Sequence, residues 1–487
     1  MTNQPSAITD LSGVALSQAI HARQLSCVDV LAAYLAQIDA LNPQVNALVA
    51  LQDRETLHTQ AQRLDIELAQ GHSRGLLHGI PQAPKDIMHA QGMVTTKGSP
   101  VFAGQVSNHD AIHFERMRAS GAVFIGRSNS PEFGLGGHTY NPVYGATRNA
   151  WMSTRTAGGS SGGAAVATAL HMLPFADGSD MMGSLRTPAA FNNVFGFRPS
   201  LGAVPYGPAD ELFLQQFSTC GPMARNVPDL ALQMQVMAGA DKRTPLARDA
   251  VAGAYNPAQL QRSFTGTRIG WLGNWGGHLA MDDGLLAHQE QALAHFEALG
   301  AQVEPVVLDF DLEQLWEAWQ DLRSLQVAGA NWALYTDPAK RSLLKPEAVW
   351  EIERGMRLSG MRVYEAAKVR SSWYDYLRQL TERYDFLTMP TTQVYPFAVE
   401  LDWPHHIAER EMDTYHRWME VVIAATMAGL PALAVPAGIS AQGLPAGIQI
   451  MGGPRADWAV LQLGHAYDMA SGYSQLRSPL LTALQGA

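Results

Sequence analysis

This 487-residue sequence has little charge, two cysteines and almost no lysine. Charged residues make up 16% of it and hydrophobic ones 47%. An average soluble domain is roughly one quarter charged, and the shortfall here excludes disordered, coiled-coil and collagen-like chains. What remains is an enzyme-sized globule, which at this mass buries roughly three quarters of its unfolded surface. There is no run of basic residues and the net charge is −10, so neither nucleic acid nor an anionic membrane surface is expected as a partner. Cys27 and Cys220 cannot build a disulfide framework, and nothing around them has metal-ligand spacing, so no metal and no cofactor are expected. The first 30 residues place Asp10, His21 and Arg23 among polar residues, without the pattern of a secretory signal, and a cytoplasmic chain is expected. The uncharged stretch 421–440 contains Pro431 and Pro436 and reads as a helix leading into a buried strand, not as a membrane span.

Of the 34 basic residues only Lys85, Lys97, Lys242, Lys340, Lys345 and Lys368 are lysines. A coding bias toward arginine accounts for the surface. A lysine kept in an apolar context then needs its own reason.

Two helices are expected in the first 50 residues, the second opening at Ser26 and stopped by Asn42-Pro43. From about 76 to 230 the pattern alternates: a helix near 110–119, a strand at 122–126, a small-residue helix near 162–172 and a strand at 173–176. Strands are expected again at 268–272, 302–307, 385–389, 432–435 and 446–450, with helices at 284–299 and 413–428. Such alternation indicates an α/β fold with a mixed sheet. Length alone suggests about three domains, but no linker or composition break divides the chain, and a single domain over 1–487 is expected: N-terminal helices at 1–60, a core at 76–230, and sheet completion at 231–487. Residues 310–420 read as the least regular part and are rich in Trp and Tyr.

Ten glycines fall between Gly121 and Gly163, ending in Gly158-Gly159-Ser160-Ser161-Gly162-Gly163. Glycines around a polar pair let backbone N–H groups approach a substrate closely. The run matches G-x-S-x-G in two frames, yet residues 151–157 make a poor strand to precede a nucleophile elbow, and no lysine follows as in a phosphate loop. A flexible linker is the bland alternative. Downstream lies a second polar island, Asp177-Gly178-Ser179-Asp180-Met181-Met182-Gly183-Ser184-Leu185-Arg186, whose turn sits in an apolar neighbourhood where consecutive N–H groups suit an oxyanion. Upstream lies Gly79-Ile80-Pro81-Gln82-Ala83-Pro84-Lys85-Asp86. A lysine in this Pro-bounded stretch suggests a group that must lose its proton, which desolvation permits for lysine and not for arginine. The alternative is a surface lysine paired with Asp86.

Taken in order, G-I-P-x-x-x-K-D, G-G-S-S-G-G and D-x-x-G-S-L-R resemble the amidase signature family. Further agreement runs through Gly126-Arg127-Ser128-Asn129-Ser130, Gly196-Phe197-Arg198-Pro199-Ser200 and Gly221-Pro222-Met223-Ala224-Arg225. The resemblance is weakest between about 230 and 380. It implies the amidase signature fold, a large mixed twisted sheet covered by helices on both faces, and a serine amidase acting on a small-molecule amide. It also implies roles by motif position: Ser184 as nucleophile, Ser160 as a relay serine on a cis peptide bond, Lys85 as base, and the N–H groups of Met181, Met182, Gly183 and Ser184 as an oxyanion hole. Ser161 would be an accessory hydrogen-bonder, and Asp180 and Arg186 would pair to fix the turn. Family members are frequently homodimers.

Two departures stand out. Met182 occupies a position where most members have glycine, so a positive φ there would cost a side chain roughly 1–2 kcal/mol. The Asp-Gln pair usual before the Gly-Pro of glutamine-using amidotransferase A subunits is absent from Gln216-Phe217-Ser218-Thr219-Cys220-Gly221-Pro222. The leading expectation is therefore a stand-alone amidase for an aryl or bulky apolar amide, with the Trp and Tyr of 310–420 walling the pocket. Its rivals are an amidotransferase A subunit that works within a complex, an α/β-hydrolase esterase using Ser160 or Ser161 with a histidine, and a non-catalytic binding protein.

Overall fold

A computed structural model describes residues 5–250 and 253–485. Its centre is an eight-stranded mixed sheet. In chain order the strands are β1 (Phe175–Asp180), β2 (Phe195–Arg198), β3 (Thr219–Ala224), β4 (Arg268–Trp271), β5 (Gln302–Pro305), β6 (Phe386–Pro390), β7 (Ala432–Ile439) and β8 (Pro445–Gly452). Across the sheet they run β1-β3-β2-β7-β8-β6-β4-β5. The β6-β4 and β4-β5 pairs are parallel, and all the others are antiparallel.

Alternation of side chains along β7 and β8 places helices on both faces. Leu433 meets Gly464 of the helix Asp457–Ser471, where any added Cβ would overlap it. On the other face, Gly447 packs against Ala190 of the helix Arg186–Asn192, again too closely for a Cβ. The short helix after the second polar island is thus clamped to the middle of the sheet. The uncharged stretch forms a helix, Ile423–Ala428, a left-handed turn at Gly429 and then β7, and no helix among the described residues is long and apolar enough to cross a membrane.

Several boundaries differ from the sequence reading. The helix Cys27–Val45 opens at Ser26, whose Oγ accepts the Asp29 N–H, but continues through Pro43. It ends where Asn46 turns left-handed and the Asn42 side chain accepts the Ala47 and Leu48 N–H groups. The first 50 residues hold three helices instead of two, and a fourth, Arg54–Ala69, runs past residue 60. The strand expected at 173–176 lies at Phe175–Asp180, the one at 122–126 shrinks to Val123–Phe124, and the helix expected at 284–299 is two, Leu285–Gln291 and Ala294–Ala298. The largest correction concerns 310–420, which is dominated by three packed helices, Leu312–Tyr335, Pro346–Met356 and Gly360–Arg383. Trp316, Trp319, Trp373 and Trp418 are fully buried core residues there. Their mixture with Arg, Glu and Gln obscures the helical period, because buried ion pairs place charge on the inner face.

Candidate active site

The three motifs converge at the end of β1. Lys85 leaves the segment after Pro81–Gln82 with its side chain buried, and its Nζ lies 2.8 Å from Ser160 Oγ, 2.8 Å from Ser161 Oγ and 3.2 Å from Ser179 Oγ. Burial pulls its pKa down to about 7, against the opposing charge of Asp177. Asp177 accepts the Lys85 backbone N–H at 3.3 Å on both oxygens, and burial raises its carboxyl to about 6. The surface pairing of Lys85 with Asp86 does not occur: Asp86 accepts the Thr96 N–H at 3.0 Å and faces Arg127 at 3.6 Å.

The Gly159–Ser160 peptide bond is cis. Glycine at 178 is what admits Ser161 to the cluster, since a Cβ there would stand 2.7 Å from Ser161 Oγ. The Ser161 N–H in turn donates to the Ser184 carbonyl at 3.2 Å, tying the glycine-rich loop to the turn that carries Ser184.

That turn is held by a buried ion cluster. Arg186 grips Asp180 with Nε to Oδ2 at 2.9 Å and Nη2 to Oδ1 at 3.0 Å, and Arg198 adds a second guanidinium at 3.3 Å. Burial opposes ionisation of Asp180, but the two arginines hold its carboxyl well below the usual range. The same carboxylate accepts the Gly183 N–H at 2.9 Å and the Leu185 N–H at 3.3 Å. The positive φ falls on Gly183 (+76°) and not on Met182, so Met182 carries its side chain without left-handed strain. Of the four N–H groups expected to face an oxyanion, Gly183's is already taken. Those of Met181, Met182 and Ser184 have no protein acceptor among the described residues.

Ser184 is 7% exposed, and its Oγ makes no hydrogen bond among the described residues. The Lys85–Ser160 half of the expected relay is in contact, while the Ser160–Ser184 half is open. Such contacts commonly tighten only when substrate is bound.

The profile of the family described as Amidase matches residues 29–461. The chain belongs to the amidase signature family. This family member is a hydrolase acting on carbon–nitrogen bonds in linear amides. It is 33% identical to an acylamidase of Rhodococcus erythropolis over 78% of its own length and 79% of that protein's. It is equally 33% identical to the A subunit of the glutamyl-tRNA(Gln) amidotransferase of Symbiobacterium thermophilum, over 97% and 99% of the two chains. Its fold matches a bacterial aryl acylamidase structure with a TM-score of 0.88 at 28% identity, covering 96% of this chain and 98% of that one.

The esterase alternative falls with these findings: no strand runs directly into Ser160, and Ser160 and Ser161 meet Lys85 instead of a histidine. Sequence reasoning missed Ser179 as a third hydroxyl on Lys85 and Arg198 as a second cation on Asp180. Ser179 was within reach, because in a strand it projects on the opposite side from Gly178 and Asp180. Arg198 comes from β2, on the far side of β3 from β1, and although it lies in the Gly196–Ser200 motif nothing local points it at Asp180.

Proposed function

We propose that this chain is a stand-alone serine amidase for small carboxylic acid amides with an aryl or bulky apolar group, working through an acyl-enzyme on Ser184. Neutral Lys85 takes a proton from Ser160 as Ser160 takes one from Ser184, and Ser184 Oγ attacks the amide carbonyl. The N–H groups of Met181, Met182 and Ser184 receive the developing oxyanion. The relay then reverses to protonate the leaving amine, and water repeats the cycle to release the acid. Ser161 and Ser179 orient Lys85, and Asp180 with Arg186 fixes the turn. The chain acts as one unit, since its sheet takes strands from residue 175 to residue 452.

The observation that carries this reading is the buried Lys85 amine, 2.8 Å from two serine hydroxyls with its pKa pulled down to about 7. The acylamidase and aryl acylamidase likenesses support an aryl acylamide as substrate. One observation favours a second reading, a glutamine-using amidotransferase component: the likeness to such a protein spans 97% of this chain. Against it, Ser218 and Thr219 stand where those proteins usually carry Asp-Gln. The purified chain alone should hydrolyse p-nitroanilides of graded acyl size and leave glutamine untouched, and Ser184→Ala should abolish turnover and labelling by an activated-serine probe. Glutaminase activity without anilide hydrolysis would reverse the assignment.

A further inference from the structure

A further buried cation, Arg323 on the long helix Leu312–Tyr335, reaches the nucleophile's turn. Its Nη1 lies 3.5 Å from Met181 Sδ, three residues before Ser184. It is 3% exposed, and its ion-pair partner Glu351 is wholly buried. Nε donates to Glu351 Oε1 at 2.5 Å and Nη2 to the Tyr415 hydroxyl at 2.8 Å. Tyr415 and Ser324 donate in turn to Glu351 at 2.9 and 2.7 Å. Glu351 is therefore fully satisfied, but Arg323 is not. A guanidinium has five N–H donors, and a thioether sulfur is a weak acceptor. Nη1 has no oxygen partner among the described residues. Donors buried in this state favour any ligand that brings an oxygen to them.

We propose that Arg323 is a specificity-determining residue that receives an uncharged hydrogen-bond acceptor on the acyl part of the substrate, beyond the scissile carbonyl. The inference rests on the amidase reading above. The acyl side follows from the roles of the two flanks. Lys85 and Ser160 must face the leaving nitrogen in order to protonate it, whereas Met181 belongs to the carbonyl-binding turn, past which the acyl substituent extends. The acceptor is uncharged because Glu351 already balances Arg323, and a carboxylate would bring an unmatched charge into a buried site. The substrates favoured are amides of keto, ether or carbamoyl acids in preference to plain hydrocarbon acids.

The test compares p-nitroanilides that share a leaving group: pentanoyl with 4-oxopentanoyl, hexanoyl with 5-oxohexanoyl, and succinyl as the charged member. In the wild-type chain, one of the keto substrates should exceed its hydrocarbon partner about tenfold in kcat/KM, as suits one hydrogen bond to a charged donor, and succinyl should trail both pentanoyl and 4-oxopentanoyl, which match it in length. That ratio should fall to about one in Arg323→Met and stay above one in Arg323→Lys. Should Arg323→Met not fold because Glu351 is left unpaired, the double variant Arg323→Met/Glu351→Gln takes its place. Equal turnover within both pairs in the wild type, or a preference for succinyl, would overturn the inference and leave the amidase assignment standing. Turnover of none of the anilides would instead overturn the amidase reading, and this inference with it.

Discussion

Around the serines, Lys85 and Asp177 are fully buried among glycines, hydroxyls and backbone, and burial wins: the amine falls to about 7 and the carboxyl rises to about 6. In the helices of 312–383, Arg323 and Glu351 are buried just as deeply, yet pairing wins. Burial works against both charges, but Tyr415 and Glu351 hold Arg323 protonated and Arg323 holds Glu351 ionised. Depth of burial is the same in the two regions, so what separates them is how completely each charge is matched. A buried group left short of partners is one whose proton is free to move, whereas a matched pair keeps its charge and gives shape and recognition.

The sharpest way to break that contrast is to give the serine cluster a permanent charge. Lys85→Arg should lower kcat on an anilide by at least about 10³-fold, in the range expected for loss of a general base, while circular dichroism shows the fold retained. A loss under tenfold would make Lys85 structural. The pH dependence carries the same information in the unaltered protein. If Lys85 is the base proposed above, turnover requires it neutral, and kcat/KM should rise with pH on an acid limb centred at about 7. Stability moves in the same direction. From about pH 7 to the ordinary lysine value of 10.5, the unfolded chain holds a proton that the folded chain has released. Unfolding free energy should therefore climb with pH across that window and be flat with respect to this group below it. Denaturant titrations of the wild type and of Lys85→Met should differ in that slope, and equal slopes would remove the depressed lysine.

The next test sets one matched cluster against the other. Asp180→Asn leaves Arg186 and Arg198 without their carboxylate, and Glu351→Gln leaves Arg323 without its own. Each should cost about 3–5 kcal/mol in denaturant unfolding, the usual effect of removing one partner of a buried pair. The kinetic consequences should differ. Asp180 also accepts the Gly183 and Leu185 N–H groups, so its loss should lower kcat, whereas Glu351 acts through Arg323 and its loss should appear mainly in KM. A smaller perturbation is Gly178→Ala, whose Cβ would press on Ser161 Oγ. Overpacking of this kind costs about 1–3 kcal/mol, and kcat should fall about tenfold as Ser161 is displaced from Lys85. Unchanged kcat would deny Ser161 any part in orienting the amine.

The same contrast explains what was legible in the sequence. The serine cluster is built from short-range motifs, so the three stretches that hold Lys85, Ser160, Ser161 and Ser184 stand out in the sequence, but their roles come from the family resemblance, and the pairing of Asp180 with Arg186 is an expectation that the structure meets. The scarcity of lysine points to Lys85 for a reason the fold supplies, since only an amine tunes to neutrality in that surrounding. The sheet is legible as alternation, but its strand order is not, because β7 pairs with β2 from more than 200 residues away. The helices of 312–383 read as irregular. Arg323, Ser324 and Glu351 lie on inward faces, and a polar residue facing inward cancels the hydrophobic period that announces a helix.

Met182 stands on the border between the two regions and gives the smallest effect. It is 4% exposed and packs in the same apolar cluster as Phe191, Trp319 and Val422. Replacing it with the glycine usual in the family would therefore mix loss of packing with any change in substrate preference. Met182→Leu keeps the volume and should cost less than about 1.5 kcal/mol, leaving preference as the readout. If the Met182 side chain lines the acyl site as well as the core, replacing its linear thioether with a branched chain should shift the ratio of kcat/KM between small and bulky acyl anilides by up to about tenfold, since a single methylene in an apolar pocket has effects of about that order. A ratio unchanged within twofold would assign Met182 to the core alone. The substrate's acyl group would then meet the chain at Met181 and Arg323, and the departure from glycine at 182 would reflect packing against the helical region and not the chemistry beside it.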